Sequence, residues 1–548
     1  MPTRNPTIAL ALAGALVLSG GARAGGPRFF GDDPIAHDPE TQDASRVQPI
    51  PSSQQFDFVE NAFLKAGDHT PVRAINVNTV DEVPDSNWFT NRAGTARWSP
   101  ADAAKGPDSG PGPAPGPWTI VGAKQEGVTP GMTIRDPGGA VYYIKFDPPS
   151  NPEMASGAEI ISTKFFHAFG YHVPENYLAT LQPASLVIGA GTRIADEDGR
   201  LRAMRPKDVE AVLAKAARNA DGSYRVVASK ALPGTPVGHF RYYGTRPDDP
   251  NDIYPHEHRR ELRGLVVFAA WLNHDDARSI NTLDTVVSDG GRSVVRHHLI
   301  DFGSTLGSGS TQAQTTRAGN EYIWESRPTL ITMLTLGFYV RPWVKVHYPD
   351  YPSIGRFEAN YFLPQAWKPE YRNPAFANTR PDDRFWAARI IAAFPDDAIR
   401  GIVQTARLSN PRASQYLVET LLARKSKVLT AWLNDTNPIV NPSLSGSGVL
   451  TFDNAAEQAG VSAAAERYTV EWSRFDNATG AHEVAGAETT ITEPRAQAPA
   501  SLLASKPEFI AARLRAFLAG RPAWAEPLTI YFRRADGGWK LAGLERNP

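Results

Sequence analysis

Between Gly106 and Pro117 the chain reads GPDSGPGPAPGP, a run that offers a core almost nothing to bury. Proline removes backbone donors and glycine supplies no side chain, so an exposed, partly extended linker or loop is expected there, with folded structure on either side of it. A second stretch of this kind runs from Asn437-Pro438 through Ser445-Gly446-Ser447-Gly448. Together they divide the 548 residues into an N-terminal extension ending in the Pro/Gly-rich linker (25–117), a large central unit (118–435), a linker (436–448) and a small C-terminal unit (449–548). A content of 41% apolar and 21% charged residues is ample for buried cores and excludes a disordered or collagen-like chain.

The first residues carry an address rather than a fold. Arg4 precedes an apolar run from Ile8 to Leu18, and Ala22-Arg23-Ala24 places small residues where signal peptidase accommodates them. A signal peptide over 1–24 is expected, with a soluble mature protein exported to the periplasm or the extracellular space. No other stretch approaches the ~20 uninterrupted apolar residues needed to cross a bilayer, so no membrane span is expected in the mature chain. A net charge of -1 supplies no general field for nucleic acid, and no nucleic-acid partner is expected. The absence of cysteine excludes disulfides, thiol nucleophiles and thiolate metal sites.

Within the central unit, Trp118 to Val121 and Val141 to Phe146 have strand composition, with a turn at Asp136-Pro137-Gly138-Gly139, which predicts an antiparallel sheet. Asn151-Pro152 opens a helix whose Met154, Ala158, Ile161, Phe165 and Ala168 recur at helical spacing until Gly170. Helical periodicity dominates afterwards, in Glu257 to Leu272, Arg384 to Ala393, Asp397 to Ala406 and Ala413 to Leu433. The aromatic, Pro-rich stretch from His347 to Asp383 is too long and irregular for a connection, and is expected to pack over the helical part or its mouth. In the C-terminal unit, alternation at Tyr468, Val470 and Trp472 and an Asp536-Gly537-Gly538 turn predict strands, while Ser505 with Glu508 predicts a capped helix running to Leu518.

The chemistry concentrates between Trp271 and Gly303. Asp276 is followed five residues later by Asn281, then by two strand-like runs, Thr282 to Val287 and Ser293 to Ile300, and then by Asp301-Phe302-Gly303. Two hard oxygen ligands and one base, brought together by a hairpin, suffice for phosphoryl transfer, which asks the protein mainly to position an acceptor and neutralise phosphate charge.

This order resembles the protein-kinase-like fold: His274-x-Asp276-x4-Asn281 is similar to its catalytic loop, Asp301-Phe302-Gly303 to its metal-binding loop, Tyr143-Ile144-Lys145-Phe146 to its third-strand lysine motif, and Glu159 to the helix glutamate that pairs with that lysine. The resemblance covers residues 118 to 435. It implies an α+β fold with a bilobal domain, an antiparallel β N-lobe and a mainly helical C-lobe, beside a small C-terminal α/β domain. It implies ATP and Mg²⁺ as cofactors, Lys145 on the nucleotide phosphates held by Glu159, Asp276 as the catalytic aspartate, Arg278 near the transferred phosphate, and Asn281 and Asp301 as metal ligands. The expected partners are the nucleotide and an unidentified hydroxyl-bearing acceptor: a protein, a lipid headgroup or an envelope carbohydrate.

The departures narrow the family. Asp275 stands where conventional kinases have arginine, no Gly-x-Gly-x-x-Gly precedes Lys145 (only Gly122, Gly127 and Gly131), and no Ala-Pro-Glu follows Gly303. The chain is more like atypical members, such as HipA-like, phosphatidylinositol and secretory or spore-coat kinases. Two other outcomes use the same parts: an inactive pseudokinase serving as an envelope scaffold, and nucleotidyl (AMP) transfer. Elsewhere, His256-Glu257-His258 lacks a metal-binding i, i+4 pair and reads as helix-start polarity, and His297-His298 alternates across a strand. Ser304, Ser308 and Ser310 lack a nucleophile elbow and read as a mobile loop.

Overall fold

The computed structural model describes residues 26–38, 40–51, 54–93, 98–123, 129–196 and 200–546. The expected signal segment and Gly127 lie outside these described residues. The fold is mixed α/β with several sheets.

A six-stranded sheet runs, in spatial order, Asn176–Leu181, Tyr224–Lys230, Val141–Phe146, Gly131–Arg135, Trp118–Ala123 and Leu186–Ile188. Every pair is antiparallel except the last, which is parallel. Alternation explains the strand that matters most. Tyr142, Ile144 and Phe146 are buried in one apolar cluster with Ile120, Ile134 and Val226, so Tyr143 and Lys145 point to the opposite face.

That opposite face meets the helix Met154–Phe169, which ends where Gly170 turns to φ 119° and returns its N–H to the Phe166 and His167 carbonyls. A side chain at Gly170 would overlap the Phe89 ring. The helix is buried on every side except at His167, because it lies between the sheet and the helical part of the molecule. The helical part comprises Arg260–Leu272, Pro381–Ala392, Asp396–Gln404 and Pro411–Trp432. Its core joins Phe165, Phe169, Phe268, Trp271, Trp386 and Phe394, and continues without a break into Ile439, Leu450, Leu514 and Ile530 near the C-terminus.

Several expectations change at the level of elements. Ile439–Leu444, inside the expected second linker, is a strand with Ile439 and Leu444 buried, paired with Val449–Asn454. The expected helix from Ser505 to Leu518 is instead the strand Phe509–Phe517, hydrogen-bonded on both sides by Arg467–Phe475 and Leu528–Ala535. Two ready partners of matching length outweigh a capping pattern. The Asp536-Gly537-Gly538 turn joins Leu528–Ala535 to Gly538–Arg546 as a hairpin.

The Gly106–Pro117 run is irregular but docked: Ser109 donates to Glu175 from both its N–H and its hydroxyl, and the Ala114 N–H donates to Asp136. The loop after Gly303 is likewise packed rather than free, with Ser308 and Ser310 buried. At the start of the described chain Phe29 sits among Phe475, Phe509 and Tyr531 of the C-terminal sheet. Among the described residues no helix is long and apolar enough to cross a membrane.

Candidate functional site

Three residues far apart in sequence meet at one ammonium. Lys145 Nζ donates to Glu159 Oε2 at 3.1 Å and to Asp301 Oδ1 at 2.9 Å. Glu159 is fixed by two further donors to its Oε1, the Asn176 amide and the Phe302 N–H, both at 3.1 Å. Burial alone would push the Lys145 pKa down; the Asp301 and Glu159 carboxylates outweigh it and hold the pKa above the usual lysine value.

Asp301 reaches this position from a left-handed backbone, φ 60°, directly after the hairpin Thr282–Asp289 and Arg292–Leu299. Phe302 anchors it by stacking on Phe166 of the Glu159 helix, with centroids 4.7 Å apart and planes 14° apart, and by contact with the His274 ring at 5.9 Å. Gly303 is closely approached: a Cβ there would lie 3.1 Å from Ser310 Oγ and 3.3 Å from Glu159 Oε2, so a larger residue would press on both.

The second pole of the site is the turn after Leu272. Asn273 ends the helix in a left-handed conformation, φ 52°, and its amide is held from both ends, by the Trp367 indole N–H at 2.8 Å and by Gln314 Oε1 at 2.7 Å. The two adjacent aspartates then separate. Asp275 turns inward to accept from Gln314 Nε2 at 2.6 Å, and burial pushes its pKa well up. Asp276 keeps 21% of its side chain exposed and accepts from Arg278 Nε at 2.5 Å. Burial raises its pKa to about 6, against the opposing pull of Arg278 and Asn281.

Asn281 Nδ2 donates to the Asp276 carbonyl at 2.6 Å, closing the loop and leaving the amide oxygen as its hard donor. Arg278 is held by more than Asp276. Its guanidinium lies 4.5 Å from the Tyr371 ring centre and 3.4 Å from Asp57 Oδ2.

The structure thus brings Lys145, Glu159 and Asp301 into direct contact, and Asp276, Arg278 and Asn281 into another. Sequence reasoning missed Asp57, Gln314, Trp367, Glu370 and Tyr371. The stretch 347–383 does pack, as expected, over the helical part, and there it braces the Asp276 turn: the Glu370 N–H donates to the Asp275 carbonyl at 2.7 Å. Its density of aromatic residues was the only signal, and it named no partner.

The donor set suits a small hard cation. Mg²⁺ takes one or two protein oxygens and completes its shell with water and phosphate, so Asn281 and Asp301 fit it without a protein cage. Among the described residues no group of three or more His, Asp or Glu side chains is arranged to hold a metal. The tempting histidines have other duties: His256 pairs with Asp252 at 2.7 Å and His258 with Asp68 at 3.2 Å. His297 pairs with Asp284 at 2.7 Å and stacks on Trp88, and His298 is held by the Leu283 carbonyl.

No protein-family model matches this chain, and no curated protein matches it in sequence. Among solved structures, two kinases are similar to it. One is the proinflammatory kinase CtkA of Helicobacter pylori, 13% identical, covering 56% of this chain and 94% of that one with a TM-score of 0.27. The other is the Golgi casein kinase with Mn/ADP bound, 11% identical, covering 57% of this chain and 71% of that one with a TM-score of 0.30. At such scores neither likeness carries an argument, and the chemistry stands on the distances within this chain.

Proposed function

We propose that this protein is an ATP-dependent phosphotransferase of the protein-kinase-like kind, moving the γ-phosphoryl group to a hydroxyl acceptor with Mg²⁺. The observation that supports it most is Lys145 held at once by Glu159 and by Asp301, two carboxylates that a strand, a helix and a hairpin must cooperate to deliver. In this reading the sheet and the Glu159 helix form one lobe and the helices from Arg260 onward the other. The C-terminal strands form a small added α/β unit that shares its core with the helices, and export follows from the leader at 1–24.

Bound ATP and Mg²⁺ would supply the transferable phosphoryl group and the neutralising charge. Lys145, positioned by Glu159, would leave Asp301 for the nucleotide phosphates, and Asp301 and Asn281 would hold the cation through oxygen. Asp276 orients the acceptor hydroxyl and accepts its proton, a task suited to a base titrating near pH 6. Arg278 places a fixed positive charge beside it. The test is transfer from γ-labelled ATP to envelope extracts by the purified chain, with α-labelled ATP in parallel. Label from the γ position alone supports the proposal, label from the α position assigns nucleotidyl transfer, and ATP binding without either assigns a scaffold.

A further inference from the structure

Beside the Asp276 turn the surface changes character. The helix Ser326–Leu334 and the chain after it expose Leu334, Leu336 and Phe338 at 75%, 86% and 88%, with Leu330, Met333 and Val344 also turned to solvent. Single exposed apolar residues are ordinary, but a contiguous patch of this kind marks a contact surface. The patch extends across chain segments, since Trp324 meets Phe63 at 6.3 Å, and Phe58 meets both Phe63 and Tyr371, the residue under Arg278.

Two observations bear on what would cover it. The first is charge: from Ser326 to Val346 the charged side chains are Arg327, Arg341 and Lys345, and no acid interrupts them. Glu321 and Glu325 at the base of the patch are already paired with Arg341 and Lys368, both at 2.7 Å. The second is polar satisfaction. Thr329, Thr332 and Thr335 each return the hydroxyl proton to a carbonyl one turn back, on Glu325, Pro328 and Ile331, at 2.7, 3.0 and 2.8 Å. Hydroxyls satisfied inside their own helix carry little cost into hydrocarbon, where an unpaired one is expensive. Trp324, Tyr339 and Trp343 flank the apolar residues, as amphipathic aromatics do at a membrane interface.

The geometry points to an anionic lipid bilayer as the occupant: Leu330 to Val344 enters the headgroup and upper acyl region, with Arg327 and Lys345 on the lipid phosphates. A second copy is the poorer fit, because a twofold contact would set these cations against themselves. Docking of this kind needs no spanning helix and does not depend on phosphoryl transfer.

The experiment is co-sedimentation of the full mature chain with sucrose-loaded vesicles of phosphatidylcholine alone or mixed with phosphatidylglycerol. The chain should pellet with the mixed vesicles. Leu336→Asp combined with Phe338→Asp should lower the partition coefficient by about a hundredfold, since each large side chain kept in water forfeits about tenfold. Lys345→Glu with Arg327→Glu should weaken binding only to the anionic vesicles. All four positions are exposed, so an unchanged melting temperature confirms that the variants fold. Failure of the wild type to pellet would overturn the proposal, as would Asp variants that pellet like wild type. It would equally be overturned by sedimentation velocity showing a dimer that the same variants dissociate, which would assign the patch to a second copy.

Discussion

The Lys145 pole and the Asp276 pole of the site are built by different means. Lys145, Glu159 and Asp301 sit on or directly after regular elements: a central strand, a helix buried except at His167, and the exit of a hairpin. Each of those elements is specified by its own periodicity, and opposite charge then closes the contact. Asp276, Arg278 and Asn281 sit in a turn whose shape is imposed from outside, by Gln314, Trp367, Glu370, Tyr371 and Asp57. Five-residue spacing delivers Asp276 and Asn281 to the same turn, but irregular chain remote in sequence holds them there. On the proposed function the Lys145 pole binds phosphate and needs charge in the right place, whereas the Asp276 pole orients an acceptor and needs geometry, which in a turn requires neighbours.

If that contrast is right, substitutions at the two poles should fail differently. The largest loss is expected for Asp276→Ala and Asp301→Ala, each lowering phosphoryl transfer about a thousandfold or more. Asp276→Ala should leave nucleotide affinity near wild type in a thermal-shift titration, whereas Asp301→Ala should abolish the Mg²⁺-dependent part of the shift. Equal effects of both variants on nucleotide affinity would erase the distinction. Next comes Lys145→Met, which strands Glu159, only 2% exposed, without its cation. Breaking such a pair costs about 3–5 kcal/mol in a dry interior, and the partial exposure of Lys145 and Asp301 reduces this to about 2–3 kcal/mol, read as a lowered denaturation midpoint. Lys145→Met with Glu159→Gln should recover part of that loss, because no uncompensated charge is left buried.

The same contrast explains what could be read without coordinates. The Lys145 strand, the Glu159 helix closed by Gly170 and the hairpin before Asp301 follow from alternation, helical spacing and turn chemistry, all local signals. The braces of the Asp276 turn do not, because Trp367 reaches Asn273, and Glu370 reaches Asp275, from backbone with no period. The misread segment Phe509–Phe517 makes the point in reverse: Ser505 and Glu508 are a sound local helix signal, but Ile510, Ala512 and Leu514 fill one side of a sheet that strands on both flanks complete. The Gly106–Pro117 run, readable as structureless, was not readable as docked, since its contacts to Glu175 and Asp136 lie in another part of the chain.

A smaller effect tests whether the N-terminal extension belongs to the Asp276 pole. Asp57 comes from the helix Gln54–Phe63 and touches Arg278, which ties the extension to the Asp276 turn. Asp57→Asn should lower kcat about three- to tenfold, the scale of one charge-assisted contact, with the KM for ATP unchanged. Tyr371→Leu removes only the ring beneath the guanidinium and should cost a few-fold at most. An altered KM for ATP in either variant would place Arg278 at the nucleotide pole instead.

The finest test is the pH profile. Burial raises the Asp276 pKa to about 6, so the carboxylate, the base of the proposed reaction, is present above that pH and lost below it. The rate should therefore rise about tenfold per pH unit up to the inflection and level off above it. Arg278 pulls that pKa down, so Arg278→Gln should move the inflection upward, by about one pH unit, besides lowering the plateau. Asp57→Asn should move it in the opposite direction or not at all, because losing a neighbouring anion leaves Arg278 more fully engaged with Asp276. An Arg278→Gln profile that keeps its inflection would mean that the titrating group controlling turnover is not Asp276. The buried Asp275, whose pKa is also raised, would then be the next carboxylate to replace, and its hydrogen bond from Gln314 the first contact to remove.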